Sequence, residues 1–369
     1  MKHVQHAPRL SLPAEEATFR AFDTIIDTRS PAEFAEDHVP GAISCPVLDN
    51  EERARVGTIY KQVSPFDAKK IGAALVAKNI AAHIENQFKD KPRAWKPLVY
   101  CWRGGKRSGA MAHILREIGW EAMALEGGYK AYRRYVVGSL AALPAQFTFR
   151  VIHGVTGSGK SRMLRALEAA GAQVLDLEDL AAHRGSVLGT LPDRPQPSQK
   201  MFESLLLQKL LSFNARKEVY VEGESRKIGQ LQVPEALIER MRESECLTLQ
   251  TDTATRVALL MDEYRHFFTD VEQLGALLDC LVGMHSRERI GEWKALAAAG
   301  EWPALVARLL EEHYDPAYLR SAAHNFPRLA QALSLRIPSD DVEAFRKIAL
   351  DLAGLETRPA EPDVAVGAQ

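Results

Sequence analysis

Short apolar runs alternate with longer amphipathic segments from the start of the chain to about residue 250. The amphipathic segments repeat apolar residues every three or four positions, which predicts helices. Strands separated by helices favour right-handed crossovers between parallel strands, so the pattern predicts an α/β fold. The predicted strands are 24–27, 97–100, 123–125, 149–153, 173–177, 218–222 and 246–250, and the predicted helices are 68–88, 106–117, 162–170, 200–216 and 233–242.

Changes in this pattern predict where the domains begin and end. Pro144 and the small residues around it mark a boundary after the first α/β segment. After Thr253 the strand-like runs stop, and the chain from about Arg256 to Gly354 is predicted to be mostly helical. The last residues are rich in Pro, Ala and Gly, a composition typical of disorder. The predicted segments are a first α/β domain, 1–143; a second α/β domain with a parallel sheet, 144–255; a helical C-terminal region, 256–355; and a disordered tail, 356–369.

Composition narrows the class of protein. Hydrophobic residues make up 46% of the 369 residues and charged residues 26%, which is ordinary for a globular chain. The 47 basic and 48 acidic residues leave a net charge of −1, so any site for a polyanion must be a local patch. The chain has no apolar run of the roughly 18 residues that span a bilayer and no signal-peptide pattern. We therefore expect a cytoplasmic protein without a membrane partner.

Cysteine usage also fits a cytoplasmic protein. The four cysteines contain no C-x-x-C pair, which argues against a zinc site or a disulfide framework and fits a reducing compartment. They are Cys45, Cys101, Cys246 and Cys280.

A phosphate-binding motif opens the second α/β segment. The apolar run 149–153 leads directly into G-x-x-x-x-G-K-S, and a helical pattern follows. The glycines let the backbone close around a phosphate, the lysine supplies a charge, and Ser161 is placed to bind Mg²⁺ at the helix start. A glycine-rich turn without a ligand is the alternative. The predicted phosphate-binding residues are Gly154, Gly157, Ser158, Gly159, Lys160 and Ser161.

Acidic residues follow two of the predicted strands near this loop. The apolar strand ending in Asp that usually accompanies nucleotide hydrolysis is missing, and its counterpart carries Glu222 and Glu224. Asp176, with Glu178 and Asp179, follows the preceding strand at the edge where such sheets bind ligands. Asp176, Glu222 and Glu224 are therefore candidate polar or metal partners. A solvated acidic turn, or a site that binds only a diphosphate, is equally consistent with these residues.

A second anion-binding loop, built around a thiol, lies about 50 residues upstream in the run Cys-Trp-Arg-Gly-Gly-Lys-Arg-Ser. Cys101 ends a buried strand and is followed by glycines and a helix start, which surrounds its sulfur with backbone N–H groups. Arg103, Lys106 and Arg107 add positive charge, which favours the thiolate. A buried structural cysteine is the alternative interpretation.

The first segment resembles the rhodanese family, in which a loop cysteine carries a persulfide. The runs 27–34 and 38–42, the Cys101 loop and the run 125–129 occur in the order that this family shows. Counting from Cys101 to Arg107 gives a loop of seven residues, whereas sulfurtransferases of this family usually have six and their phosphatase relatives seven. The resemblance therefore implies a wider pocket, suited to a phosphate-bearing or larger chalcogen donor.

The whole chain, up to about residue 320, resembles the bacterial tRNA 2-selenouridine synthase family. Besides the two loops, the resemblance rests on the runs 48–62, 183–186, 222–229 and 313–316. It implies that 2-thiouridine at the wobble position of tRNA is first alkylated by geranyl diphosphate, after which selenophosphate replaces the S-geranyl group with selenium. It also implies that selenophosphate synthetase delivers the donor and that no cofactor is tightly bound, with Mg²⁺ left open.

The same resemblance assigns roles to the two loops. The phosphate loop would stabilise the pyrophosphate leaving group. Cys101 would be the nucleophile or carrier for selenium, with Arg103 and Arg107 holding the phosphate of the donor. Two other classes stay open: an ATP-dependent tRNA sulfurtransferase or kinase-like P-loop enzyme, and a non-catalytic binding module.

Binding of tRNA requires a local basic surface, for which Arg226 and Lys227 are the first candidates. Further candidates are Arg133, Arg134, Arg287 and Arg289. Aromatic residues in the helical region either stack on bases or belong to the core, and the core is the favoured interpretation. They are Trp293, Trp302, Tyr314 and Tyr318.

Overall fold

The structure, a computed structural model, describes residues 11–356 except 187, 269, 319 and 321–325. It divides into two units. The first unit comprises the chain up to Ser139 together with Pro197–Gln208, and the second comprises Leu140–Gln196 and the chain from Lys209 onward. Sequence analysis assigned 197–208 to the second domain, and this segment groups with the first unit instead. Residues 357–369 of the predicted disordered tail lie outside the described residues.

The first unit is built on a five-stranded parallel sheet with the order β1-β5-β4-β2-β3. The strands are β1 (Ser11–Leu12), β2 (Thr24–Asp27), β3 (Ile43–Ser44), β4 (Pro97–Tyr100) and β5 (Met123–Leu125). The helices are Glu16–Arg20, Pro31–Glu36, Asn50–Gln62, Pro65–His83 and Lys106–Ile118, with a π-helical turn at Ile84–Phe88. The helix Gly128–Ala142 belongs to this unit up to Ser139. All four residues of the central strand β4 are buried, and β4 delivers the chain to Cys101.

A buried polar network ties the segment 197–208 into the first unit. Asp37 is fully buried, and its carboxylate accepts hydrogen bonds from the Tyr129 hydroxyl and the Ser204 hydroxyl, both at 2.8 Å. Arg133 forms an ion pair with Glu203 on the same segment. Because a buried carboxylate without partners is costly, Ser204 is part of what makes this unit stable.

The second unit is built on another five-stranded parallel sheet, with the order β12-β11-β6-β8-β7. The strands are β6 (Phe149–His153), β7 (Gln173–Leu175), β8 (Val219–Glu222), β11 (Glu245–Gln250) and β12 (Leu333–Arg336), and β9 (Lys227–Ile228) pairs with β10 (Leu231–Gln232) in a separate antiparallel hairpin. The predicted α/β fold with parallel sheets is confirmed.

The helices of the second unit cover this sheet and continue beyond it. They are Lys160–Ala169, Leu177–Ala181, Glu235–Arg242, Thr253–Glu263, Val271–Asp279, Arg287–Ala298, Trp302–Leu309 and Val342–Glu356, while Gln199–Leu211 is divided between the two units. Shorter turns of 3₁₀ or π helix occur at Leu143–Gln146, Arg265–Phe268, Leu310–Tyr314 and Pro327–Gln331. One core lies between the sheet and the helices Lys160–Ala169 and Val342–Glu356, to which Phe345 contributes a fully buried ring.

The prediction that strands stop after Thr253 was wrong at β12. This strand extends the sheet in parallel register with β11, pairing Leu333 with Leu247. Its sequence Leu-Ser-Leu-Arg is only four residues long and lies at the sheet edge, where only Leu335 is half-buried. In the sequence, an alternation of only four residues cannot be distinguished from a helical turn. It is recognised as a strand only from its pairing with β11, which is distant in sequence.

The helices Val271–Asp279, Arg287–Ala298 and Trp302–Leu309 pack around a separate core that includes Trp293, whose side chain is fully buried. The core interpretation of Trp293 is therefore confirmed. In the part of the chain that the structure describes, no helix combines the length and the apolar character needed to cross a bilayer.

Candidate functional site

The thiol of Cys101 lies in a cradle of hydrogen-bond donors directly after β4. The residue is only 3% exposed, and its Sγ accepts hydrogen bonds from the backbone N–H of Gly105 at 3.3 Å and from the Ser108 hydroxyl at 3.2 Å. Burial alone would raise the pKa of this thiol, but hydrogen bonds from the Ser108 hydroxyl and from the backbone at Ser108, Arg103 and Gly105 outweigh it and lower the pKa. The cradle therefore favours the thiolate of Cys101. Its role as the nucleophile stays a prediction.

Ser108 is the main side-chain contributor to this effect, and sequence analysis gave it no role. It follows Arg107 in the first turn of the helix Lys106–Ile118 and is fully buried. The sequence predicted that backbone N–H groups and the loop cations together favour the thiolate. The leading causes that lower the pKa are the hydrogen bonds from Ser108 and from the backbone.

The thiol loop packs closely against the run 125–129. Gly104 has φ of +65°, and a Cβ there would lie 2.6 Å from the Leu125 carbonyl oxygen. A Cβ at Gly128 would overlap the Cys101 carbonyl oxygen. The Tyr129 N–H donates to that same carbonyl at 2.8 Å. The run 125–129 therefore fixes the conformation of the thiol loop.

Glu33 links the loop to the family-specific run 48–62. One carboxylate oxygen of Glu33 lies 3.0 Å from Arg53 and 3.4 Å from Arg107. Burial pushes the pKa of Glu33 up, but the Ser30 N–H and both arginines lower it overall. Arg107 is thus held by an acid that sequence analysis did not single out, while Arg103 is exposed. The phosphate-holding role of Arg103 and Arg107 stays a prediction.

The phosphate loop follows the central strand β6 of the second unit. Gly157 has φ of +76° and Gly159 has φ of +92°. A Cβ at Gly157 would lie 2.7 Å from Leu260 Cδ1, and one at Gly159 would lie 2.6 Å from Phe345 Cζ. Backbone conformation and close packing both therefore require glycine at these positions.

Polar groups around the loop complete the cradle. Lys160 Nζ donates to the Gly154 carbonyl at 2.9 Å, and the Gly154 N–H donates to the Tyr318 hydroxyl at 3.1 Å. His153, the last residue of β6, is buried; burial and the nearby Lys160 lower its pKa to about 4. Its ring is therefore neutral near pH 7. The Ser158 hydroxyl is buried and has no hydrogen-bond partner among the described residues.

An ion pair braces the loop from the helical region. Arg256 is 5% exposed, and its Nε donates to the Thr156 carbonyl at 2.9 Å. The same guanidinium pairs with Asp315 at 2.6 Å. Asp315 belongs to the family run 313–316, so this run supports the phosphate loop. The role of Arg256 could not be predicted from the sequence, because no local pattern connects it to Asp315.

Three glutamates crowd the end of the loop. Ser161 Oγ donates to Glu178 at 3.3 Å, and the Glu178 N–H donates to Glu222 at 2.7 Å. Burial, with the neighbouring Glu224, raises the pKa of Glu178 to about 8, and burial raises the pKa values of Glu222 and Glu224 as well. Protonated carboxyls at this position repel a bound diphosphate less than carboxylates would.

The metal roles predicted for these acids stay predictions. Asp176 accepts a hydrogen bond from the Asp179 N–H at 2.7 Å and thereby caps the helix Leu177–Ala181. Among the described residues, no group of three or more His, Cys, Asp or Glu side chains is arranged to hold a metal ion. The predicted binding of Mg²⁺ at Ser161, whose hydroxyl donates to Glu178, likewise stays a prediction.

A cavity of about 420 Å³ opens over the phosphate loop. It brings together the loop, two of the glutamates and residues of the runs 183–186 and 313–316. The polar side chains in its wall include Lys160, Ser161, Glu178, Arg184, Glu224, Tyr264, Tyr314 and Tyr318. The family-specific runs of the second unit therefore converge on one ligand-sized space.

The predicted tRNA contacts lie on the surface. Arg226 and Lys227 are exposed, and Arg226 pairs with Glu235 at 2.7 Å. Arg289 pairs with Glu312 at 2.6 Å, and Arg133 is engaged by Glu203. Arg134 and Arg287 are exposed as well. The role of all these residues in tRNA binding stays a prediction.

Comparison with known proteins first defines the class. A family model for the rhodanese-like domain matches residues 13–135, and a model described as the tRNA 2-selenouridine synthase AAA domain matches residues 147–275. The chain is thus a rhodanese-like domain followed by a P-loop-type domain.

The relatives then give the family. A tRNA 2-selenouridine synthase from Nitrosomonas europaea is 37% identical over 70% of this chain and 67% of its own length. Another from Sulfurovum sp. (strain NBC37-1) is 31% identical over 88% of this chain and 94% of its own length. The chain belongs to the tRNA 2-selenouridine synthase family, which confirms the resemblance seen in the sequence. Among solved structures, a rhodanese-related protein from Thermoplasma volcanium is 19% identical over 34% of this chain and 91% of that chain, with a TM-score of 0.23.

Proposed function

We propose that this protein is a tRNA-modifying transferase that converts 2-thiouridine at the wobble position to 2-selenouridine through an S-geranyl intermediate. Geranyl diphosphate supplies the prenyl group and selenophosphate the selenium. Membership of the family supports the overall conversion. The observation that supports the two-step form is that the first unit contains the thiol cradle at Cys101 and the second unit contains the phosphate loop at 154–161.

In the prenyl step, the sulfur of 2-thiouridine attacks the first carbon of geranyl diphosphate. A carbon–sulfur bond forms, the carbon–oxygen bond breaks, pyrophosphate leaves and the N3 proton of the base is released. The N–H groups of the loop and Lys160 stabilise the charge that develops on the leaving group. This step needs no hydrolysis of ATP, in keeping with glutamates of raised pKa where hydrolytic P-loop enzymes carry an ionised Asp.

In the selenium step, Cys101 acts as the nucleophile, and electron counting favours phosphorus as the atom attacked. Attack on selenium would leave phosphorus two electrons richer, as phosphite. Attack on phosphorus forms an S–P bond, breaks the P–Se bond and releases hydrogen selenide without a change of oxidation state. Selenide then adds to C2 of the S-geranylated base and expels geranylthiol, while water hydrolyses the phosphocysteine. Arg103 and Arg107 would hold the phosphoryl oxygens.

The test is reconstitution with purified protein and tRNA that contains 2-thiouridine. Nucleoside mass spectrometry is expected to find S-geranyl-2-thiouridine with geranyl diphosphate alone and 2-selenouridine when selenophosphate is added. Matched reactions omit each donor in turn. Formation of 2-selenouridine only with ATP, accompanied by ATP consumption, would replace this proposal with the ATP-dependent alternative.

A further inference from the structure

A second, smaller cavity lies beside the phosphate loop and has an almost entirely apolar wall. Its volume is about 60 Å³. The wall is formed by the helix Trp302–Leu309 and by residues that precede and follow it in the second unit. The lining side chains are Thr156, Leu188, Leu260, Tyr264, Phe267, Phe268, Leu274, Trp302, Leu305, Val306, Leu309, Leu310 and Tyr314. We call this space the apolar chamber.

The apolar chamber adjoins the cavity over the phosphate loop. The two spaces share Thr156, Leu260, Tyr264 and Tyr314. Leu260 also packs against Gly157 of the loop, so tightly that a Cβ at Gly157 would lie 2.8 Å from Leu260 Cγ. The apolar chamber therefore lies directly beside the space over the phosphate loop, with Leu260 in the wall of both.

We propose that the apolar chamber binds the far end of the hydrocarbon chain of a prenyl diphosphate whose diphosphate lies in the phosphate loop. This inference rests on the proposed function and assigns its substrate chain to named residues. A nucleobase is a poor occupant, because its donors and acceptors would lose water without gaining partners among Leu305, Val306 and Leu309. A hydrocarbon gains from every methylene that it buries there.

The size of the chamber limits how much of the chain it takes. A cavity of about 150 Å³ admits benzene, so a chamber of about 60 Å³ accepts only the end of a ten-carbon chain. The first isoprene unit would then lie in the larger cavity, beside Tyr264 and Tyr314. Trp302 and Phe268, whose half-buried rings stack with centroids 4.8 Å apart, form part of the chamber wall. They therefore set the length of chain that fits.

The test uses full-length protein and two variants on one helix. Val306→Phe fills the chamber at a half-buried position, and Ala304→Phe places the same ring at an exposed position of that helix as the control. Calorimetry measures the affinity for geranyl diphosphate and for inorganic pyrophosphate. Because each buried methylene contributes about 0.8 kcal/mol, or about fourfold in affinity, Val306→Phe is expected to weaken geranyl diphosphate binding about tenfold or more. Pyrophosphate binding should stay unchanged, and Ala304→Phe should behave as the wild type.

A second variant guards against a folding defect in the first. Trp302→Ala enlarges the chamber, so the ratio of activity with the fifteen-carbon farnesyl diphosphate to activity with geranyl diphosphate is expected to rise. The inference is overturned if Val306→Phe keeps its selectivity for geranyl diphosphate over pyrophosphate and Trp302→Ala keeps the chain-length preference. A wild type that neither binds nor transfers a geranyl group would instead contradict the proposed function itself.

Discussion

Replacing Ser108 by alanine tests how the thiol is activated. Ser108 is fully buried, and its hydroxyl lies 3.2 Å from the Cys101 sulfur and 3.4 Å from the Gly105 carbonyl oxygen. The substitution removes the hydroxyl and leaves the backbone cradle in place. Since burial continues to disfavour the thiolate, the pKa of Cys101 is expected to rise.

The expected magnitude follows from one lost hydrogen bond. A hydrogen bond to a charged group contributes about 1.5–3 kcal/mol. Because about 1.4 kcal/mol is a factor of ten in an equilibrium, the thiolate fraction below the thiol pKa should fall about ten- to hundredfold. The Gly105 N–H still donates at 3.3 Å, which favours the lower end of this range.

The assay is the rate of alkylation of Cys101 by iodoacetamide as a function of pH, read by peptide mapping. Cys280 is exposed and is replaced by serine in all proteins to remove its background. Gly109→Ala is the matched control, since a Cβ there meets no atom within 4 Å. If Ser108→Ala gave the same rates and the same pH midpoint as the control, the hydrogen bond would not be what activates the thiol.

Four further predictions address the two sites and the tRNA surface. Cys101→Ser should abolish 2-selenouridine while S-geranylated tRNA accumulates, and normal 2-selenouridine in nucleoside mass spectrometry would contradict the role of Cys101. Lys160→Ala should slow geranylation about a hundredfold or more, and supplying S-geranylated tRNA with selenophosphate should bypass the block; a block that persists would assign the loop to the selenium step. Because the carboxyl of Glu178 has its pKa raised from 4.5 to about 8, it stays protonated in the folded protein while the unfolded chain ionises, so stability should fall as pH rises through this interval. Glu178→Gln should flatten that decline in urea titrations, and an unchanged profile would refute the assignment. The affinity for tRNA should fall with a log–log salt slope of about −0.7 to −0.9 per phosphate contact, and the double change of Arg226 and Lys227 to alanine should make the slope shallower, which filter binding would measure against the wild type.

The two anion-binding loops could be predicted because each is contiguous in sequence. In the runs 101–108 and 154–161, the turn glycines, the charged residues and the reacting group are neighbours along the chain. The main strands were predicted for a similar reason, since buried parallel strands form short apolar runs. The chemistry and the conformation of each loop are therefore both determined by a few neighbouring residues.

The supports of these loops could not be predicted in the same way. Arg256 and Asp315 are 59 residues apart, and Arg107 and Glu33 are 74 residues apart. A charged residue that braces a loop has the same local pattern as one on a solvated surface. The raised pKa of Glu178 likewise comes from burial and from Glu224 on another segment. Such effects exist only once the chain has folded.

The segment 197–208 has a consequence for dissecting the protein genetically. A stop codon at the apparent domain boundary near residue 143 would remove Ser204 and Glu203 from the thiol-bearing unit. Asp37 would lose the hydrogen bond from Ser204, and Arg133 would lose its ion pair with Glu203. Truncation alone therefore does not yield that unit whole. A gene fragment that encodes it must return residues 197–208 through a designed linker, or supply them as a separate peptide.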